Sequence, residues 1–206
     1  MSAVEQEALL ALCRARGIWV IADEVYARIV YEGRCAPSFL QVAEPEDRLL
    51  VINSFSKSWS MTGWRLGWLV APHDLGEPLE MMNEYNISGP PTFVQHAGVT
   101  AVREGEDHVA ALIAGYRTSR DVVHQRLNAM ARVRANLPAS AFYSFFAVEG
   151  LDDSRTFAKR VLAETGVGLP PGSAFGPGGE GHMRLCFASS PERLSQAMDR
   201  LAPVLG

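Results

Sequence analysis

Lysine and cysteine are scarce in this 206-residue chain, and it has no long apolar run and no cluster of basic residues. Each scarcity excludes something. No stretch approaches the roughly 20 apolar residues that cross a bilayer, and acids enter early at Glu5 and Glu7, so neither a membrane segment nor an export signal is expected. Cys13, Cys35 and Cys186 are odd in number, far apart and without a Cys-x-x-Cys or a nearby Cys/His pair, which argues against a disulfide framework and against a zinc site. Free thiols in a reducing, cytoplasmic setting are the expectation. The formal net charge is -4 and the arginines are dispersed, so neither nucleic acid nor a membrane surface is expected as a partner. Among His73, His96, His108, His124 and His182 no pair has metal-ligand spacing on a shared face, and no metal is expected.

The apolar content of 48% suffices for one sizeable core or two modest ones. Of the 19 basic residues only Lys57 and Lys159 are lysine. Lys159 lies among polar neighbours on a helical pattern whose buried face is Phe157, Val161 and Leu162, so it reads as a solvated charge. Lys57 lies in a hydroxyl-rich loop. Arginine can replace lysine as a surface charge but cannot form an imine, so a lysine retained in so arginine-rich a sequence hints at covalent chemistry.

Ser2 to Gly17 reads as a helix: Ser2 and Glu5 have capping-box spacing, Leu9, Leu12 and Cys13 form a stripe, and Gly17 suits the carboxyl cap. Ile18 to Ala22 is a continuous apolar run, expected as a strand buried on both faces and ending at Asp23 and Glu24. Arg48 to Ser54 repeats the pattern. A helix followed by short buried strands with polar carboxyl ends is the mark of an open α/β sheet whose ligand lies beyond those ends. Trp64 to Val70 reads as a further strand, stopped by Pro72. Helical periodicity then covers Phe93 to Val102 and His108 to Met130 across an acidic break at Glu104 to Asp107, expected as one long helix or a kinked pair. A strand at Ala141 to Val148, a helix at Ser154 to Thr165 closed by Gly166, a strand at His182 to Ala188 and a last helix capped by Ser190 and Pro191 follow. The Gly- and Pro-rich stretch Gly168 to Gly181 reads as a loop. The expected division is a partial cofactor-binding domain, 1–103, and a smaller α+β domain, 104–206, that includes the long connecting helix.

Chemistry concentrates in Ile21 to Tyr31 and Ile52 to Trp68. The first holds Asp23 and Tyr26 as Asp-x-x-Tyr after a strand; the second holds Ser54, Ser56 and Lys57 as Ser-x-Ser-Lys, then Gly63, Arg65 and Gly67 as Gly-x-Arg-x-Gly. Met183 to Ala188 supplies a third anchor. Together, in this order and on these elements, the motifs resemble the class I aminotransferases of the pyridoxal-phosphate fold type I, and the likeness runs from Ser2 nearly to the end.

That resemblance implies a cofactor, pyridoxal 5'-phosphate, and a role for each position. Lys57 would form the imine with the cofactor aldehyde, release it to the substrate amine and move protons. Asp23 would keep the pyridine nitrogen protonated, Tyr26 would donate to the cofactor phenolate oxygen, and Ser54, Ser56 and Arg65 would hold the phosphate. Arg184 would clamp the substrate α-carboxylate. Taken singly, Asp23 also reads as a turn residue, Tyr26 as a packed aromatic, Ser56 as a turn residue and Arg184 as a surface strand arginine. Trp59 and Trp64 read as core or interface aromatics.

The implied reaction moves an amino group between an α-amino acid and a 2-oxo acid, in a homodimer when full length. β-Elimination, decarboxylation or Claisen-type chemistry on the same framework remain alternatives, as does a non-catalytic fragment that only binds. Family members are about twice this length, so the chain reads as a carboxyl-terminal portion or a mis-started frame, expected to be inactive and marginally stable alone. No Arg or Lys occurs between Arg65 and Arg103, which disfavours a dicarboxylic substrate.

Overall fold

In the computed structural model, which describes residues 1–206, the pair Ser2 and Glu5 opens helix α1 (Ala3–Arg16) as a capping box. Ser2 Oγ accepts the Glu5 N–H at 3.3 Å, and a Glu5 carboxylate oxygen accepts the Ser2 N–H at 2.7 Å, satisfying two amides that a helix start leaves unpaired. The buried face of α1 is Gln6, Leu10 and Cys13, not Leu9, Leu12 and Cys13; Leu12 is exposed. An apolar-only reading skips Gln6, which earns its burial by donating to the Pro37 carbonyl at 3.0 Å.

Strands β1 (Val20–Asp23) and β2 (Leu49–Ser54) pair in parallel, with Val20 opposite Leu49 and Asp23 opposite Ile52. A one-turn helix, α2 (Phe55–Ser58), leaves the end of β2 and is followed by β3 (Gly67–Val70), which returns antiparallel with Ser54 opposite Gly67. Trp64 lies outside this strand, in a 3₁₀ turn over Thr62–Trp64. Leu10, Cys13, Val20, Ala22, Phe39, Leu49 and Val51 form one buried cluster between α1 and the sheet. The other face is uncovered: Ile21 is 65% exposed, Trp19, Ile52 and Trp68 are exposed, and all four residues of β3 are open. The first strands were expected to be buried on both faces, and they are buried on one, because α1 and the loop around Phe39 pack on a single side.

Helix α3 (Gly76–Ile87) has no counterpart in the sequence reading. None of its residues is buried, so it has no apolar stripe to reveal it. Gly105 separates α4 (Thr92–Glu104) from α5 (Glu106–Asn128), making the expected long or kinked helix a pair. The chain divides into two compact units, Met1–Ala110 and Ala111–Gly206, the division falling inside α5.

In the second unit Asn128 closes α5 by donating to the Ala135 carbonyl at 2.9 Å and accepting the Ala135 N–H at 3.0 Å. Ala135 ends β4 (Val133–Ala135), a strand too short for its alternation to be read. Next come β5 (Tyr143–Val148), α6 (Ser154–Thr165), β6 (His182–Cys186) and α7 (Pro191–Leu205), with sheet order β4-β5-β6 and both pairings antiparallel. Ser144, Phe146, Val148, Met183 and Leu185 line the buried face of this sheet. Phe157 and Val161 of α6 and Leu194, Met198, Leu201 and Leu205 of α7 add buried apolar groups to this unit's core, as do Val123 and Leu127 of α5. The loop between α6 and β6 holds two 3₁₀ turns, Gly172–Phe175 and Pro177–Gly179. The architecture is α/β, with seven helices and two small sheets.

Candidate active site

The carboxyl ends of β1 and β2 point the same way because the strands are parallel, and the next segments leave from that edge. Strands run about 4.8 Å apart and rise about 3.3 Å per residue, so the register sets the Asp23 and Ser54 backbones within about 8 Å of each other. The Glu24 N–H donates to the Ile52 carbonyl at 2.9 Å, extending the pairing one residue past β1. Asp23 is exposed, and its carboxylate accepts the Val25 N–H at 3.2 Å, starting the tight turn that carries Tyr26. Tyr26 is half-buried, and its carbonyl accepts the Ile29 N–H at 2.9 Å.

Ser54 caps α2: its Oγ accepts the Ser56 N–H at 3.0 Å and donates to the Leu66 carbonyl at 3.3 Å. The Phe55 N–H donates to that same carbonyl at 3.1 Å. Leu66 is thereby fastened to the start of α2, and the loop bearing Arg65 folds back beside Lys57. Arg65 adopts the left-handed conformation at φ 53° and donates through Nη1 to the Thr62 carbonyl at 2.8 Å. Gly67 is required by close approach, since a Cβ there would stand 2.6 Å from the Asn53 carbonyl oxygen across the β2/β3 pair. Gly63 is not so constrained; nothing lies within 4 Å of its added Cβ. Ser56 is buried, whereas Lys57 is half-buried and its ammonium makes no hydrogen bond or ion pair with the protein.

One sheet edge therefore brings together Asp23, Ser54, Ser56, Lys57 and Arg65, with Tyr26 on the adjoining turn. Arg184 belongs to the second unit. It sits on β6 opposite Phe145, half-buried, with its guanidinium 4.4 Å from the Tyr143 ring centroid and 4.1 Å from that of Phe175. Two rings against a planar cation hold its orientation while leaving the N–H edge without an ion-pair partner. The sequence reading missed Tyr143 and Phe175 as its neighbours, although the i+2 alternation of β5 and the aromatic in the glycine-rich loop were visible. No group of three or more His, Cys, Asp or Glu side chains is arranged to hold a metal ion, and no helix is long and apolar enough to cross a membrane.

The family described as aminotransferase class I and II matches residues 1–201. A probable N-acetyl-LL-diaminopimelate aminotransferase of Bacillus subtilis is 35% identical over 202 residues, which is 98% of this chain and 50% of that protein. An aspartate aminotransferase of Pyrococcus abyssi is 37% identical over 190 residues, 90% of this chain and 48% of that protein. Among solved structures, the aspartate aminotransferase of Thermotoga maritima superposes with a TM-score of 0.89 at 36% identity, covering 99% of this chain and 52% of that one. The aromatic aminotransferase of Pyrococcus horikoshii gives 0.92 at 33% identity, covering 100% and 56%. The chain spans about half the length of the curated relatives it matches. On the match over residues 1–201 and these likenesses, the chain belongs to the class I and II aminotransferases.

Proposed function

We propose that this chain carries the cofactor-attachment elements of an aminotransferase that moves an amino group between an α-amino acid and a 2-oxo acid with pyridoxal 5'-phosphate. The observation that carries the reading is the half-buried, unpaired Lys57 at the sheet edge shared with Asp23, Ser54 and Arg65. An amine, a carboxylate, two hydroxyls and a guanidinium are the donor set that a phosphorylated pyridine aldehyde asks for, so the residues fit the group. When bound, it supplies an aldehyde for a primary amine and a ring that accepts electrons from the substrate Cα.

The remaining steps belong to the protein. Lys57 would be the attachment point and, with its amine free, the base that takes a proton at Cα and the acid that returns it. Asp23 would meet the ring nitrogen and favour its protonated form, and Tyr26 would donate to the ring oxygen. Ser54, Ser56 and Arg65 hold the phosphate, and Arg184, edge free between its two rings, takes the substrate α-carboxylate in a bidentate pair. Residues 1–103 form the cofactor-binding portion and 104–206 the smaller domain. The whole enzyme acts as a cytoplasmic homodimer on this reading. Residues 66–102 contain no Arg or Lys, which disfavours aspartate or glutamate as the donor.

The test is to titrate the 206-residue protein with pyridoxal 5'-phosphate, reduce with borohydride and map the modified peptide. The expected product carries the cofactor on Lys57, and amino donor with 2-oxo acid gives no sustained turnover by this chain alone. Label found on Lys159 or only on the amino terminus overturns the assignment.

A further inference from the structure

The first turn of α5 reaches two other segments of the first unit at once. Glu106 Oε2 accepts from Arg28 Nη2 at 2.6 Å, and Arg28 belongs to the turn that carries Tyr26. His108 Nε2 shares a hydrogen bond of 3.2 Å with Ser60 Oγ, three residues beyond Lys57. Ser60 adopts the left-handed conformation at φ 55°, which serine rarely takes without an external hold. Between the two bonds lies Trp59. The Arg28 guanidinium stands 5.7 Å from its ring centroid, and Phe55 and Trp68 close the other sides at 5.0 and 6.5 Å.

The α4/α5 break rests on that same indole. A Cβ at Gly105 would stand 2.7 Å from Trp59 Cδ1 and 2.9 Å from Nε1, so a larger residue there would push the helix start off the tryptophan. Trp59 Nε1 is buried without a hydrogen-bond partner, so the packing of the ring has to offset the cost of an unpaired donor. The arrangement is thus a built contact between three segments distant in sequence.

Its energetic scale argues against a role in holding the fold. The Arg28 and Glu106 side chains are 28% and 50% exposed, and a solvent-exposed ion pair contributes little to global stability. Arg28 nevertheless holds the Glu106 carboxyl below its ordinary value through their hydrogen bond, so the pair is formed and charged at neutral pH. A bond too weak to matter globally can still decide how often a short exposed turn opens.

We infer that the first turn of α5 is a strap: Glu106 through Arg28, and His108 through Ser60, are positioning residues that fix the Tyr26 turn and the Lys57 loop relative to each other. The inference rests on the function proposed above, because it gives the strap the task of keeping Tyr26 and Lys57 in register for pyridoxal 5'-phosphate. Neither Glu106 nor His108 touches the cofactor on this view. Sequence reading placed His108 among structural or solvated histidines and gave Trp59 no chemical role; the one visible cue was a glycine between two helical patterns with acids just after it.

The experiment compares Glu106→Gln, His108→Ala, the double variant and His108→Gln with the unaltered chain. Hydrogen exchange of residues 25–29 and 57–61 is read without cofactor, and pyridoxal 5'-phosphate uptake is read by absorbance. Glu106→Gln should speed exchange mainly in 25–29, and His108→Ala mainly in 57–61, each about two- to fivefold, the factor that corresponds to a weak exposed bond. Cofactor affinity should fall by a similar factor in each and by their product in the double variant, with the melting temperature unchanged. His108→Gln, whose amide can meet Ser60, should return both readouts towards the starting values. Unchanged exchange in both segments overturns the strap, and faster exchange with undiminished cofactor affinity overturns its positioning role. If the unaltered chain takes up no cofactor on Lys57, the proposed function fails while the exchange measurement still decides whether the strap exists.

Discussion

The sheet β4-β5-β6 keeps Phe146 and Met183 at 0% exposure, whereas β1-β2-β3 leaves Ile21 at 65% and every residue of β3 open to solvent. Both sheets have three strands, and β1 in the first and β5 in the second alternate inward and outward residues. Their outward faces differ in chemistry. Outward positions on the second sheet include His182 and Arg184, which stack on Phe145 and on Tyr143 and Phe175 and so cover one another. Outward positions on the first include Ile21 and Ile52, with Trp68 beside them on β3: exposed side chains that are wholly or mostly apolar. A strand that is apolar on both sides is written for cover on both sides. The second unit closes its own core, and the first leaves half of its apolar sheet unused.

The sharpest way to break that contrast is to truncate one residue of the closed core and one of the bare face. Phe146→Ala removes a fully buried ring and should cost about 3–5 kcal/mol. Ile21→Ala, at the bare face, should change stability by less than about 0.5 kcal/mol. Urea unfolding followed by circular dichroism measures both. A large loss at Ile21 would mean that its face is covered in solution.

A second measurement sharpens the same point through association. Exposed apolar area with unpaired strand edges promotes self-association, so the chain should form oligomers or aggregates as its concentration rises. Ile21→Glu with Ile52→Lys should suppress this, as read by sedimentation velocity, without lowering the melting temperature. A chain that stays monodisperse without those changes would contradict the bare-face account.

The third effect is smaller and depends on pH. Asp47 is buried at 5% exposure, and its carboxylate receives two donors from Arg14 and the Glu44 N–H. The hydrogen bond from Arg14 comes first among the causes that hold the Asp47 carboxyl below its ordinary value. A depressed carboxyl contributes fully above its unfolded value of about 3.9 and loses that contribution as pH falls through the lower folded value. Asp47→Asn should therefore lower stability by about 1–3 kcal/mol at neutral pH, and the deficit should shrink below about pH 4. A deficit independent of pH would assign the loss to packing.

Much of this architecture was readable because local chemistry announced it. The caps at Ser2, Gly17, Gly166 and Ser190 bounded three helices, and Ser154 to Thr165 was read to the residue because Gly166 closes a periodic stripe. Misreadings share a cause: burial is set by neighbours. Leu12 and Ile21 are apolar yet exposed, Gln6 is polar yet buried, and α3 buries nothing and so escaped notice. At the candidate site, Asp23, Ser54, Lys57 and Arg65 stood out because their motifs, Asp-x-x-Tyr, Ser-x-Ser-Lys and Gly-x-Arg-x-Gly, resemble those of the class I aminotransferases. Arg28, Glu106 and His108 did not, since their bonds, Arg28 to Glu106 and His108 to Ser60, span 78 and 48 residues and leave no local pattern.

The smallest effect tests whether the two units unfold as one. Ser2 and Ser190 are matched N-caps: Ser2 Oγ accepts the Glu5 N–H at 3.3 Å and Ser190 Oγ accepts the Arg193 N–H at 3.4 Å. Removing either acceptor by alanine should cost about 1 kcal/mol. For a single cooperative transition in a chain of this size, either substitution lowers the midpoint by about 2–4 °C, and every probe reports the same shift. For units that melt separately, Ser2→Ala shifts only the first unit and Ser190→Ala only the second. The two cases can be told apart because Trp19, Trp59, Trp64 and Trp68 all lie in the first unit, so tryptophan fluorescence follows that unit alone while calorimetry follows both. Given a closed core in one unit and a bare sheet face in the other, the expected outcome is separate melting, with the tryptophan transition at the lower temperature. Fluorescence should then respond to Ser2→Ala and ignore Ser190→Ala, and an equal response to both would join the two cores into one cooperative whole.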